Sequence, residues 1–175
     1  GLLDVIEVDA SGSFWVNVAQ GRASDVVVKI NDGIGQEHQL DYAVITDGDP
    51  LYSRATEYAL SPVGRDIEVV KQVRSSNGVG GLRAVSYNYE GGNIDPNGRG
   101  FLGFHKVTST DHSTGHVTVK TFHGGFPVTG TEAWEGLYVG GVLVRATEHQ
   151  TAWTGAAPFV LTRTQTQEWV SELDG

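Results

Sequence analysis

Turns rich in Gly, Asn, Asp and Pro interrupt this chain so regularly that no stretch between them sustains a helical period beyond about two turns. Between the turns lie short runs rich in Val, Thr and aromatic residues, spaced roughly every 8–12 residues. That rhythm predicts an all-β fold, an antiparallel meander of short strands joined by Gly-rich turns. It is densest over Tyr87–Phe104, YNYEGGNIDPNGRGFLGF. Two aromatic strand fragments, Tyr87–Tyr89 and Phe101–Phe104, flank a turn segment. Within it Gly91, Gly92, Gly98 and Gly100 take positive φ without steric cost. Asn93, Asp95, Pro96 and Asn97 favour turns, through side-chain bonds to the backbone or a fixed φ. The chemistry of this stretch is conformational. Its expected structural residues are Tyr87, Tyr89, Gly98, Arg99, Gly100, Phe101, Gly103 and Phe104.

The other expected strands follow in chain order. Leu2–Val8 and Ser13–Val18 form a hairpin, and Val26–Ile30 leads through the hairpin-type turn Asn31–Gly35 to His38–Thr46. Leu51–Gly64 reads as a loop with either a short helix or an irregular strand. Asp66–Ser75 and Leu82–Tyr89 flank a second Gly-rich turn, Ser76–Gly81. Phe101–Thr110 and Val117–Phe122, joined at DHSTGH, make the clearest hairpin. Trp134–Tyr138 pairs with Val142–His149, and two strands, Phe159–Thr166 and Glu168–Leu173, close the chain.

Composition narrows the function classes. The 175 residues suffice for one domain with its own core. A net charge of -9 repels phosphates, and no Lys/Arg cluster offsets it, so nucleic acid is not an expected partner. The longest apolar stretch, Leu137–Val144, is far shorter than the ~20 residues of a membrane helix, so no membrane span is expected. With no cysteine in the chain, disulfides and thiolate metal sites are excluded. The absence of Met, including at position 1, predicts an internal piece of a longer protein, and the opening residues do not read as a signal peptide.

Several constellations carry residue types that chemistry could use. His105, His112, His116 and His123 fall on one expected hairpin, and His112, His116 and Asp111 near its tip offer a weak zinc- or nickel-type ligand set. Against this, hairpin tips favour polar residues in any case, so no metal or other cofactor is expected. Glu132 with Glu135, or Glu7 with Asp9, have the residue types of a glycosidase pair. In a chain with 21 acidic residues, such pairs also arise by chance. Ser109, His112 and Asp111 contain the types of a hydrolytic triad, yet no G-x-S-x-G elbow accompanies them. No catalytic residue is assigned, and the chain does not read as an enzyme. Trp15, Trp134, Trp153 and Trp169 would suit a sugar-binding face, which makes a carbohydrate-binding β module the alternative reading. In a β protein most such rings pack on the sheet.

Five motifs occur in a recognisable order: Ser76–Gly81 (SNGVGG), Tyr87–Gly92 (YNYEGG), Gly98–Phe104 (GRGFLGF), Thr110–Gly115 (TDHSTG) and Phe126–Gly130 (FPVTG). Together they resemble Rhs and Tc-toxin B-component proteins at the transition from FG-GAP repeats to the Rhs region. NDGIG (Asn31–Gly35) and ITDGDPLY (Ile45–Tyr52) extend the resemblance, which covers about residues 1–150. It implies that residues 1–45 end an FG-GAP, propeller-like region and that residues 46–175 form a β-sheet segment of the shell type. It further implies a structural scaffold within a secreted or cell-surface bacterial toxin. There the β-shell encloses and delivers a toxic C-terminal part, and its partners are the other segments of the parent shell and the toxin cargo. Asp4 then resembles the last carboxylate of an FG-GAP calcium loop. One carboxylate cannot hold Ca²⁺, and the pair Asp47 and Asp49 reads equally as a turn.

Overall fold

The computed structural model describes residues 5–8, 14–17, 26–31, 35–45, 50–54, 61–62, 67–95, 98–155 and 160–171. Among them are strands β1 (Val5–Val8), β2 (Phe14–Asn17), β3 (Lys29–Asn31), β4 (Glu37–Ile45), β5 (Tyr52–Ser53), β6 (Ser61–Pro62) and β7 (Ile67–Ser76). They continue with β8 (Leu82–Asp95), β9 (Gly100–Asp111), β10 (Val117–Phe122), β11 (Glu132–Val139), β12 (Val142–Thr154) and β13 (Val160–Val170). β1 and β2 pair antiparallel as a separate two-stranded sheet.

The other strands form one sheet in the order β13-β12-β11-β10-β9-β8-β7-β4-β3, with β5 and β6 added along β8. Every neighbouring pair on that path is antiparallel, so the expected meander is what forms. β4, which ends at Ile45, pairs antiparallel with β7 from His38–Ser75 to Ile45–Ile67.

Two local readings are corrected, and a third is narrowed to its strand alternative. Gly91 and Gly92 are not a turn: β8 runs through them to Asp95, because β9 pairs alongside from Asp111 to Gly100 and β6 meets Asn93 and Ile94 on the other side. The end of the chain is one strand rather than two, since β12 offers a continuous ladder from Arg145 to Thr154. In Leu51–Gly64 the described residues form β5 and β6 and contain no helix.

The core lies where the sheet divides. β7 pairs with β8 only over Gln72–Ser76, while its first half stays with β4. β8 then takes β5 in parallel at Tyr89 and Glu90. The two halves close on Ile45, Tyr52 and Val69, which are buried, with Leu51, Ile67, Tyr89 and Phe104 packed against them. Elsewhere the faces are half-covered. Ala146 is the one further buried hydrophobic residue among those described, and β3 and β13 are exposed at every position.

Candidate functional site

The hairpin of β8 and β9 carries most of the residues expected to matter. Tyr89 and Phe104 pack with ring centroids 4.6 Å apart, Phe101 meets Phe104 edge-on at 5.2 Å, and Tyr52 meets Phe104 edge-on at 6.3 Å. Phe101 and Phe104 are three apart, so simple alternation would put them on opposite faces. A bulge brings them together: Gly103 pairs with Asn93 but Phe101 with Ile94, leaving Leu102 as an extra residue. Gly103 adopts φ 92° there, a conformation that favours glycine. The Tyr89 hydroxyl donates to the Val70 carbonyl at 2.7 Å, which ties β8 to the half of β7 that has left it. Burial, with the Tyr87 phenol adding to it, pushes the Tyr89 phenol up to about 12.

At the end of the hairpin, Gly98 and Gly100 take positive φ, as the sequence suggested, while Pro96 and Asn97 lie outside the described residues. Arg99 Nη1 donates to the buried Asp95 Oδ2 at 2.6 Å, and its guanidinium lies 4.1 Å from the Phe126 ring centroid. The turn between β8 and β9 is thereby fastened to the loop after β10. That loop is held closed by hydrogen bonds from Gly130 N to the His123 carbonyl (2.9 Å) and from His123 N to the Thr131 carbonyl (3.0 Å).

Asp111 is organised as an anchor rather than a ligand. Its carboxylate accepts from Ser113 N (2.9 Å), Ser113 Oγ (2.6 Å), Thr114 Oγ1 (2.9 Å) and Arg83 Nη2 (2.5 Å). These bonds, the Ser113 hydroxyl and Arg83 first among them, hold its carboxyl well below the usual carboxylate range. His112 Nε2 lies 2.9 Å from Ser86 Oγ, and His105 Nδ1 donates to the Phe122 carbonyl at 3.0 Å. Ser109 Oγ donates to the Thr118 carbonyl at 3.5 Å, so Ser109, His112 and Asp111 each face a different partner. No group of three or more His, Asp or Glu side chains placed to hold a metal occurs among the described residues, where both His112 and His116 lie.

Glu132 and Glu135 do come together, around one ammonium. Lys120 Nζ lies 2.5 Å from Glu135 Oε2 and 2.9 Å from Glu132 Oε2. Glu135 also faces Arg145 at 3.6 Å, and Glu132 faces His149 Nε2 at 3.2 Å. The Lys120 ammonium is pushed up, chiefly by Glu135 and then Glu132. Burial raises the Glu132 carboxyl, but the hydrogen bond and field of Lys120, with His149 beside it, leave it below its ordinary value. A general acid needs the opposite shift, so the pair acts as a cross-strand ionic tie. Asp4, Asp9, Asp47 and Asp49, and the side chains of Glu7 and Trp15, lie outside the described residues.

The tryptophans are dispersed. Trp134 lays its indole over Gly136, where an added Cβ would collide with Trp134 Cη2. Trp153 and Trp169 are about half exposed. They pair with Leu161 and Ala146, toward opposite ends of the β12–β13 ladder, some seven residues or ~23 Å apart along the strand direction. A concavity of about 460 Å³ opens between Gly35–Glu37 and Ser76–Leu82. Its one carboxylate, Glu37, is bound to Lys29 Nζ at 2.7 Å and Gln39 Nε2 at 2.5 Å, and Lys29 first, then Gln39, holds it below its ordinary value. Among the described residues no helix is long and apolar enough to cross a membrane.

Residues 1–130 match the family model described as the insecticide toxin TcdB middle/N-terminal region. The chain belongs to this family. All five motifs that carried the Tc-toxin resemblance lie inside the matched stretch, and β11, β12 and β13 lie beyond it. No curated protein matches. Two solved structures share the TcdB-type fold. A crystal structure of TcdB2-TccC3-Cdc42 matches over 81% of this chain at 13% identity with a TM-score of 0.61. One of TcdB2-TccC3 matches over 81% at 14% identity with a TM-score of 0.59. The chain spans 10% and 11% of the lengths of those chains.

The sequence missed Arg83, which reaches Asp111 from 28 positions away, and Lys120, which joins the two glutamates. The opposite charges were a signal, but only strand register says which charges meet.

Proposed function

We propose that this chain is a wall segment of a Tc-toxin B-type protein, a structural scaffold whose shell encloses and delivers a toxic C-terminal part. The observation that carries this reading is a broad sheet with one small core. The buried apolar residues other than Ala146 gather where β4 and β7 meet β8 and β9, and most of both faces stays half-covered. Such a sheet is completed by neighbouring layers and strands rather than by itself. In this reading Tyr87, Tyr89, Gly98, Arg99, Gly100, Phe101, Gly103 and Phe104 set the bend of the wall. Residues 1–45 end an FG-GAP-like region, and residues 46–175 are shell. The partners are other shell segments and the cargo, the protein is secreted or displayed by a bacterium, and this segment performs no catalysis.

The test is protease protection in the parent protein. The cargo part is expected to resist added protease in the wild type and to become cleavable when Gly103→Val disturbs the wall. A cargo equally cleavable in both would overturn the enclosing role. Titration of this chain with glycans, followed by tryptophan emission, is expected to stay flat. A saturable quench would instead support a sugar-binding module.

A further inference from the structure

β7 and β8 are joined by the turn Asn77–Gly81, which is exposed at every position. Asn77 N donates to the Gly81 carbonyl at 3.0 Å and closes it. The Asn77 side chain folds over the turn: its Oδ1 accepts from Val79 N at 3.0 Å and from Gly81 N at 2.9 Å. Gly81 permits this because it has no side chain, for a Cβ there would stand 2.7 Å from Asn77 Nδ2. Gly78 follows Asn77 directly at φ 79°, and neither its N–H nor Asn77 Nδ2 donates to any group among the described residues.

We propose that Asn77 is a modification site driven by the folded turn itself, in which the Gly78 nitrogen attacks Asn77 Cγ and the carboxamide becomes a carboxylate. Two N–H groups aimed at one carbonyl oxygen stabilise the oxyanion that forms there, and the carbon they polarise lies beside an unbonded amide nitrogen. Glycine at 78 leaves that nitrogen unshielded by a Cβ. In the first step the Gly78 N–Asn77 Cγ bond forms, the carbonyl electron pair moves onto Oδ1 between Val79 N and Gly81 N, and the Gly78 proton passes to water. The tetrahedral carbon then expels Nδ2, which takes up a proton and departs as ammonia, leaving a five-membered cyclic imide. Water adds to either imide carbonyl and breaks its bond to the Gly78 nitrogen. Opening at Cγ gives aspartate, and opening at the main-chain carbonyl gives isoaspartate, with the backbone running through Cβ and Cγ. In sum, a carboxamide and one water become a carboxylate and an ammonium ion.

The chain contains its own comparison, a second Asn-Gly pair at Asn97–Gly98. There Gly98 N donates to the Asp95 carbonyl at 3.3 Å, so the attacking nitrogen is engaged. The dipeptides are identical, and only the fold separates them. The product adds a negative charge to the turn that walls the 460 Å³ concavity lined by Glu37. The isoaspartate form also lengthens the backbone between β7 and β8. The inference goes beyond the scaffold reading and stands whether or not the parent encloses a cargo.

The test incubates the protein at mildly alkaline pH, folded and unfolded in urea, and follows the tryptic peptides Ser75–Arg83 and Ala84–Arg99 by mass spectrometry. In the folded protein Asn77 should convert about tenfold or more faster than Asn97, the weight of about one hydrogen bond. In urea the two should convert at similar rates, and Asn77 more slowly than when folded. Gly81→Ala should push the carboxamide off its two donors and slow Asn77 to near its unfolded rate. Gly81 is not at positive φ, so the backbone accepts alanine, and far-UV circular dichroism reports that the variant is folded. The folded-against-unfolded comparison of the wild type decides independently of that variant. Folded Asn77 converting no faster than unfolded Asn77 overturns the proposal. So does equal conversion of Asn77 and Asn97 in the folded protein, or a folded Gly81→Ala variant that converts at the wild-type rate.

Discussion

Arg99 holds its guanidinium 4.1 Å from the centroid of the Phe126 ring while one of its nitrogens bonds Asp95. This single side chain joins two of the family motifs, GRGFLGF and FPVTG, and fixes the turn after β8 to the loop after β10. Planarity lets it stack on the ring and bond the carboxylate at once, which an ammonium cannot do. Arg99→Ala is expected to lower stability by about 1–2 kcal/mol. Arg99→Lys should recover only part of it. Urea unfolding of Arg99→Ala, Phe126→Ala and the double variant should give a coupling of about 0.5–1 kcal/mol. Additive effects would show that the stacking contributes nothing.

Asp111 links stability to acid. Its carboxyl is held below the ordinary range in the folded chain, so its contribution is complete above about pH 4, the unfolded value. That contribution is lost as pH falls from there toward the folded value. Melting temperatures measured from pH 6 downward should fall for the wild type below about pH 4. Asp111→Asn should melt lower at pH 6 and show a shallower acid dependence. Parallel curves for the two proteins would remove Asp111 from the acid response.

Tyr89 makes the matching prediction at the alkaline end. Its phenol is raised to about 12, so it favours the folded chain fully below about pH 10 and loses that contribution as pH rises toward 12. Absorbance at 295 nm should show one tyrosine ionising late, and Tyr89→Phe should remove that late step. The same variant should cost about 1 kcal/mol, because the Val70 carbonyl loses its donor.

Two glycines should respond to substitution for different reasons. Gly103 has open space around an added Cβ but sits at φ 92°, so Gly103→Val is expected to cost about 1–2 kcal/mol through backbone conformation, and Gly100→Val at φ 81° should behave alike. Gly136 has no such strain, and an added Cβ would meet the Trp134 ring. Gly136→Ala should therefore displace the indole and red-shift tryptophan emission, while Gly103→Val lowers the thermal midpoint with little change in that emission. Identical emission for Gly136→Ala and wild type would contradict the packing described.

Local signals in this sequence proved readable where they act locally. β10 spans Val117–Phe122 as the hairpin reading expected, because a tight turn anchored by Asp111 sets its start. Gly91 and Gly92 misled because glycine signals freedom rather than a turn, and a long partner strand decided how that freedom was used. The same competition merged the last two expected strands into β13, once β12 supplied a ladder through Gln167. The core was less legible. Ile45, Tyr52 and Val69 are far apart in the chain and have no distinguishing pattern.

From residue types alone came the all-β meander, its turns, the family resemblance and the absence of disulfide chemistry. These follow from backbone preferences and side-chain periods that span a few residues. Tertiary structure alone decided where the sheet divides and why Phe101 and Phe104 share a face. It also decided which cation closes on Asp111 and which unites Glu132 with Glu135. Each of those depends on strand register and on one extra residue in a bulge, and register is set by pairing across the whole sheet, which no short window of sequence contains.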